Sequence, residues 1–291
     1  MSAFFARMWI ALIDSTLNWS QRARTRLAYF IGDLLWIAIV PRRRIALTNV
    51  RLCFPRWSEE ECRMVVRRTF RNMARAVFDH SVLALAPREQ LATYVRVEGL
   101  EHLHDPANRP LIMLAPHFVG LDAGGLRISM ELKAVTIYAR QSNKTWNDWV
   151  HGIRSRFNAP LLIKREGFDL RAAIRAMKDG LPFYYLPDQD YGAQHSVFVP
   201  FFGVQAATIP MVARLARIAG AKVVMAVSEM SADGYVLHFE PAWRDFPTDD
   251  VVADTARMNR EIERWVERMP DQYLWTHRRF KSRPEGMASV Y

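Results

Sequence analysis

Short apolar runs alternate with helix-spaced segments over most of this 291-residue chain. Leu111-Ile112-Met113-Leu114-Ala115 is a continuous apolar run of the length a buried strand needs. The residues after it, 121–132, carry helical spacing, and short runs at 134–138, 160–163, 182–186, 222–227 and 235–239 predict further strands. Between them, 144–157 sets Trp146, Trp149, Val150 and Ile153 on one helical face. The stretch 167–178 turns Leu170, Ile174 and Met177 inward and stops at Gly180. Residues 58–78 open on a capping serine, Ser58, with Glu59, Glu60 and Glu61 in the first turn, and 251–269 predicts a long C-terminal helix. Strands alternating with helices predict an α/β fold, a sheet covered on both faces.

The first forty residues follow a different pattern. Phe4, Phe5, Met8, Trp9, Ile10, Leu12 and Ile13 form one apolar group, broken by Arg7 and Asp14. Arg22, Arg24 and Arg26 separate it from a second run, 27–40, which contains Asp33 and would make a helix of about 21 Å. A membrane span needs about 20 apolar residues to cross about 30 Å, so neither run is a clean transmembrane helix. No small-residue cleavage site follows either run, which argues against a removed signal peptide. Aromatic residues flanked by arginines, with Arg42-Arg43-Arg44 beyond, fit helices lying in the interface against anionic head groups.

Composition narrows the function classes. Half of the residues are hydrophobic and 24% are charged, so the chain can bury a large core and is not disordered. The two cysteines, Cys53 and Cys62, do not make a disulfide framework and are expected as reduced thiols. His102 and His104 stand without zinc-ligand company. The net charge of +10 asks for an anionic partner. Nucleic acid is the poorer choice, because no recognition-helix, zinc-finger or RNP signature is present.

The chemistry concentrates in Ala115-Pro116-His117-Phe118-Val119-Gly120-Leu121-Asp122. His117 should emerge at the carboxyl end of a strand, where open α/β sheets bind their ligands. A positioned imidazole can take the proton of a hydroxyl as it attacks an acyl carbonyl, and a carboxylate on its other nitrogen fixes the tautomer. Five residues apart on a regular helix is about 140°. Asp122 can therefore serve His117 only if the histidine precedes the helix and the acid reaches back from its first turns. Asp188 and Asp190 form a D-x-D at another strand end, a weak magnesium signal that equally fits carboxylates bonding backbone amides.

Several motifs in order resemble the late acyltransferases of lipid A biosynthesis, within the lysophospholipid acyltransferase superfamily. They are Arg42-Arg43-Arg44-Ile45-Ala46-Leu47-Thr48-Asn49-Val50-Arg51-Leu52-Cys53-Phe54-Pro55, then Ala115-Pro116-His117, then Leu186-Pro187-Asp188-Gln189-Asp190-Tyr191-Gly192. Val197-Phe198-Val199-Pro200-Phe201-Phe202-Gly203 with Ala206-Ala207-Thr208 follows, and 272–286, from Gln272-Tyr273-Leu274-Trp275 onward, closes the series. The resemblance implies a mixed central sheet flanked by helices, of the glycerolphosphate-acyltransferase type, with an N-terminal membrane-associated helical segment. It implies an N-terminal membrane-anchoring helical segment over 1–41, a catalytic domain over 42–291, and a place on the cytoplasmic face of the inner membrane.

By that resemblance His117 is the base and Asp122 its orienting partner. Arg156, with Arg154 and Arg165 as alternatives, would meet phosphate or oxyanion charge, and Asp190 would orient substrate or hold structure. Arg278 and Arg279, in the basic stretch His277–Arg283, are candidates for lipid phosphate or carrier protein, and Trp275 for packing. The donor implied is an acyl carrier protein thioester, the acceptor a hydroxyl on a 3-hydroxyacyl chain of a phosphorylated lipid A precursor; no metal and no cofactor are implied. Direct attack is expected, since no G-x-S-x-G elbow or Cys/His nucleophile is present. Two alternatives remain. A glycerophospholipid acyltransferase is disfavoured by the lack of a Ser or Thr between His117 and Asp122 and of a later F-P-E-G-T block. A non-enzymatic basic membrane-surface protein explains the charge but not the motif order.

Overall fold

A computed structural model describes residues 3–138, 143–164 and 169–291. Four helices come first: α1 (Ala3–Ser15), α2 (Gln21–Ala38), α3 (Val40–Cys53) and α4 (Glu59–Leu85). A short α5 (Arg88–Tyr94), β1 (Val95–Glu98) and α6 (Leu100–His104) lead to the central strand β2 (Leu111–Leu114). Then α7 (Leu121–Glu131), β3 (Val135–Tyr138), α8 (Lys144–Arg154), β4 (Leu161–Lys164), α9 (Leu170–Lys178) and β5 (Phe183–Tyr185) follow in alternation. The chain finishes with β6 (Val197–Phe201), β7 (Val204–Thr208), α10 (Met211–Ala219), β8 (Lys222–Ser231), β9 (Gly234–Phe239) and α11 (Val251–Arg268).

Seven strands form one sheet in the order β1-β9-β8-β2-β5-β3-β4. Every neighbouring pair is parallel except β8 with β9, so the sheet is mixed, as expected. Side-chain alternation divides its two faces. Ile112 and Leu114 join the core under α9, α10 and α11, whereas Leu111 and Met113 face Ile128 of α7. With both faces covered, β2 is buried at all four positions, which is why its sequence is an unbroken apolar run.

The hairpin β6–β7 stands apart as a two-stranded antiparallel sheet. Its turn holds Phe202 at φ +51° and Gly203 at φ +76°, the doubly positive pair that a type I′ turn requires. A phenylalanine is a poor residue for that conformation, and the Phe202 amide is held by Glu263 of α11 at 2.8 Å.

The predicted helix over 58–78 runs on to Leu85. Its start is the expected one: the Ser58 hydroxyl accepts from the Glu61 amide at 3.2 Å, and Glu61 takes the Ser58 amide at 2.6 Å. Asp79, His80 and Ser81, in the part beyond residue 78, are buried. Asp79 accepts from Arg24 at 3.0 Å and Tyr235 at 3.0 Å, with Arg75 at 3.3 Å, so the charge is matched inside the fold.

The N-terminal segment packs directly on α4, and the expected boundary at 41/42 falls inside the first turn of α3. Ala6 and Ile13 of α1 and Ala28 of α2 are fully buried. At Gly32 the α2 and α4 backbones come so close that an added Cβ would lie 2.5 Å from the Arg71 Cα. Among the described residues no helix is long and apolar enough to cross a membrane.

Gly32→Val should force the two backbones apart at a cost of about 1–3 kcal/mol. Thermal melts should show a fall of several degrees; an unchanged melting temperature would mean that α2 is not held to α4 by this contact.

Candidate active site

β2 ends at Leu114, and the chain carries Ala115 and Pro116 before His117 turns out at the carboxyl edge of the sheet. The adjacent parallel strand β5 delivers Asp188 to the same edge, since the β2–β5 register continues through the Ala115 amide to the Tyr185 carbonyl at 2.8 Å. There the His117 Nδ1–H donates to Asp188 Oδ1 at 2.7 Å, and the His117 backbone amide donates to Oδ2 at 2.9 Å. The histidine side chain is 17% exposed and the aspartate 1%. Burial pushes the Asp188 carboxyl up, but the charge and hydrogen bonds of His117 outweigh it and hold the group down at about 2. With Nδ1 as the donor, Nε2 is left as the acceptor, and the Gln189 amide nitrogen reaches it at 3.2 Å. The ring is thus oriented from behind by a carboxylate, on the nitrogen opposite Nε2.

The orienting partner of His117 is therefore Asp188 and not Asp122. Asp122 lies in the first turn of α7, as expected, but it turns the other way. Its Oδ1 accepts from Arg154 Nε at 2.8 Å and Nη2 at 2.6 Å, and its Oδ2 lies 3.2 Å from His80 Nε2. Burial alone would raise the Asp122 carboxyl; Arg154 and His80 reverse the effect and hold it well below the ordinary range. His80 Nδ1 sits 2.7 Å from the Ala76 carbonyl. Both of its ring nitrogens thus face acceptors, an arrangement that only the imidazolium satisfies. Desolvation opposes that charge, and the Asp122 carboxylate overcomes it and raises the His80 value.

A slot runs along the sheet beneath α7, lined by Asp122, Gly125, Ser129 and Leu132 on one face of that helix. Thr136, Leu162 and Tyr184 form its floor from three neighbouring strands, and Arg154 stands in the wall. The run from Asp122 to Leu132 is about 15 Å long, and most of the lining is apolar. Leu121 and Leu186 complete the lining toward the end of the sheet that carries His117. Leu186 is two residues from Asp188, within about 7 Å of extended chain.

A model of the bacterial lipid A biosynthesis acyltransferase family matches residues 5–282. The chain is 35% identical to the lipid A biosynthesis lauroyltransferase of Escherichia coli K12, covering 91% of this chain and 88% of that one. It is also 35% identical to the palmitoleoyltransferase of the same organism, over 90% and 86%, and 31% identical to the myristoyltransferase, over 86% and 78%. The chain belongs to the bacterial lipid A biosynthesis acyltransferase family. It is an acyltransferase. Among solved structures, the 1-acyl-sn-glycerophosphate acyltransferase of Thermotoga maritima covers 87% of this chain and 99% of its own at 15% identity, with a TM-score of 0.37, too loose a likeness to inform the site.

The other expected site residues of this acyltransferase separate into those near the slot and those spent on structure. Arg156 gives Nη1 to the Leu83 carbonyl at 2.5 Å and Nη2 to the Ala86 carbonyl at 2.9 Å, closing the carboxyl end of α4. Arg154 is the arginine at the slot; Arg165 lies outside the described residues. Asp190 is buried and accepts from the Gly192 amide at 2.8 Å and from the Ser282 amide and hydroxyl at 2.6 and 2.9 Å. It ties a turn to the C-terminal segment. Arg279 is buried against the Ala207 carbonyl and the Thr208 hydroxyl, both at 2.7 Å, so of the pair only Arg278 is exposed. Trp275 is fully buried and gives its indole N–H to the Pro270 carbonyl, a packing role as expected.

Asp188→Asn should lower kcat by roughly 10³-fold or more, because an amide can accept or donate at Nδ1 and so permits the wrong tautomer. Steady-state kinetics on a folded variant test this, and near-wild-type kcat would remove Asp188 from the machinery.

His277 supplies a pH prediction. Its Nε2 accepts from the Asp190 amide at 3.0 Å, and desolvation, with nearby cations, lowers its value to about 4 from the ordinary 6.5. Between those values the unfolded chain takes up a proton that the native chain refuses, so stability falls as pH drops from 6.5 toward 4. His80 has the opposite sign: its contribution is present below 6.5 and is lost as pH rises through its raised value. Denaturant titrations across this window should show a flatter acid limb for His277→Gln, whose amide oxygen accepts without titrating. An unaltered slope would place the acid sensitivity elsewhere.

Proposed function

We propose that this enzyme moves a fatty acyl chain from an acyl carrier protein thioester to the hydroxyl of a 3-hydroxyacyl chain on a phosphorylated lipid A precursor. The observation that carries the reading is His117, held by Asp188 at the carboxyl edge of the sheet, with an apolar slot whose lining includes Leu186, two residues from Asp188. The slot accommodates the acyl chain. His117 Nε2 takes the hydroxyl proton as the oxygen attacks the thioester carbonyl, forming the new C–O bond. Asp188 stabilises the imidazolium, and Arg154, pinned by Asp122, offers a fixed cation to the charge that develops on the carbonyl oxygen. Collapse of the tetrahedral intermediate breaks the C–S bond, and the imidazolium returns its proton to the departing sulfur. No acyl-enzyme is formed.

The same reading places the enzyme on the cytoplasmic face of the inner membrane, lying in the interface. Its support is the apolar surface left uncovered on the first two helices. Phe4, Phe5, Met8 and Trp9 of α1 are 37–72% exposed, and Phe30, Leu34 and Ile37 of α2 are 46–65% exposed. The net charge of +10 suits an anionic leaflet, an acidic carrier and a phosphorylated acceptor.

The deciding experiment incubates purified protein with acyl carrier protein thioesters and a tetra-acylated lipid A precursor and reads product mass. One acyl chain should be gained by wild type and none by His117→Ala. Acylation of lysophospholipid instead, with the precursor untouched, would reassign the acceptor.

A further inference from the structure

A second recess lies between α2, α4 and the short turn 270–272, lined by Tyr29, Arg68, Arg71, Asn72 and Asp271. The reaction steps above use none of these residues. One wall of the recess is bonded directly to the catalytic strand end. The Val119 amide donates to the Gln272 carbonyl at 2.9 Å, and the Leu274 amide donates to the His117 carbonyl at 3.1 Å. The Asn72 amide fixes the same wall to α4 through the Asp271 carbonyl at 3.1 Å. The opposite wall is α2, where Tyr29 is followed by the exposed Phe30 and, a turn later, Leu34. The recess therefore stands between an uncovered apolar helix face and the carboxyl edge that carries His117.

Its charge is unbalanced in one particular way. Asp33 takes Arg67 at 2.7 and 2.9 Å and Arg71 at 2.8 and 2.6 Å, each through two nitrogens. Among the described residues Arg68 has no such acid, and it is exposed. An unpaired guanidinium presents a planar fork that matches phosphate. Asp271 would repel a bare inorganic anion, but it offers acceptors to hydroxyls. Arginine and carboxylate in one recess suit a ligand that carries phosphate and hydroxyls together. A recess of this kind fits a small head group better than the convex surface of an acidic protein.

We propose that this recess binds the phosphorylated sugar head group of the acyl acceptor, with Arg68 on a phosphate and Asp271 on a sugar hydroxyl. The proposal rests on the acceptor reading given above. It leaves the acyl chains on the apolar side of α2 and the reacting chain leading to His117.

Two measurements test it. In the first, KM is compared for the phosphorylated precursor and its dephosphorylated counterpart, with wild type and Arg68→Ala. Wild type should prefer the phosphorylated acceptor, and Arg68→Ala should erase that preference through a rise in KM of about tenfold, the size of one charge-assisted hydrogen bond. An undiminished preference overturns the proposal, as does a KM increase confined to the carrier-protein donor, which would make Arg68 a carrier-docking residue. The second measurement needs no turnover. His117→Ala protein is sedimented with phosphatidylcholine vesicles containing the phosphorylated or the dephosphorylated precursor, with and without Arg68→Ala. Arg68-dependent binding to the phosphorylated lipid alone supports the recess, and equal binding to both lipids overturns it. If wild type leaves the precursor unacylated, the acceptor reading fails by itself, while the vesicles still decide what the recess binds.

Discussion

Everything at the candidate site depends on β2 and β5 lying side by side in parallel. One ladder of backbone hydrogen bonds, extended past the strands by the Ala115–Tyr185 contact, brings His117 and Asp188 to the same edge although 71 positions separate them. Parallel pairing between these strands is possible because the intervening α7-β3-α8-β4-α9 segment supplies the crossovers and covers both faces. The two-point grip of Asp188 on the His117 ring and backbone amide then sets the tautomer.

Much of the scaffold was legible in the sequence because its signals are local. The unbroken apolar run of β2, the capping residues of α4 and the helical spacing of α7, α8 and α11 all predicted elements that are present, with ends shifted by a few residues. The hairpin β6–β7 and helix α10 had no such warning. The hairpin contains Pro200 and turns on Phe202, a residue seldom found at positive φ, and α10 begins after Pro210 on a face that reads as general hydrophobicity. The run of α4 beyond residue 78 was hidden for a related reason. Asp79 is neutralised by arginines from two helices, which no linear pattern reports.

The site was legible only in part. His117 announced itself through its place after a strand, but its partner did not. Asp122 was the nearer acid in sequence, and the Asp188 contact depends on strand order, which a single chain does not spell out. The arginines teach the same lesson. Arg154 and Arg156 differ by two positions on one segment, so they point in different directions; one meets Asp122, and the other meets the last carbonyls of α4. Only tertiary packing distinguishes them. His80 carried no local motif at all, and its charge follows from having a carbonyl on one side and a carboxylate on the other.

The segment from 270 to 283 closes the site from behind. It bonds to His117 and Val119 through Leu274 and Gln272, and to Asp190 through His277 and Ser282. The segment that fastens the strand ends bearing His117 and Asp188 is thus made after both of them. Synthesis order and assembly order are coupled here. The scaffold can gather as it is made, but the edge that carries His117 and Asp188 is fastened only after residue 283 has been added.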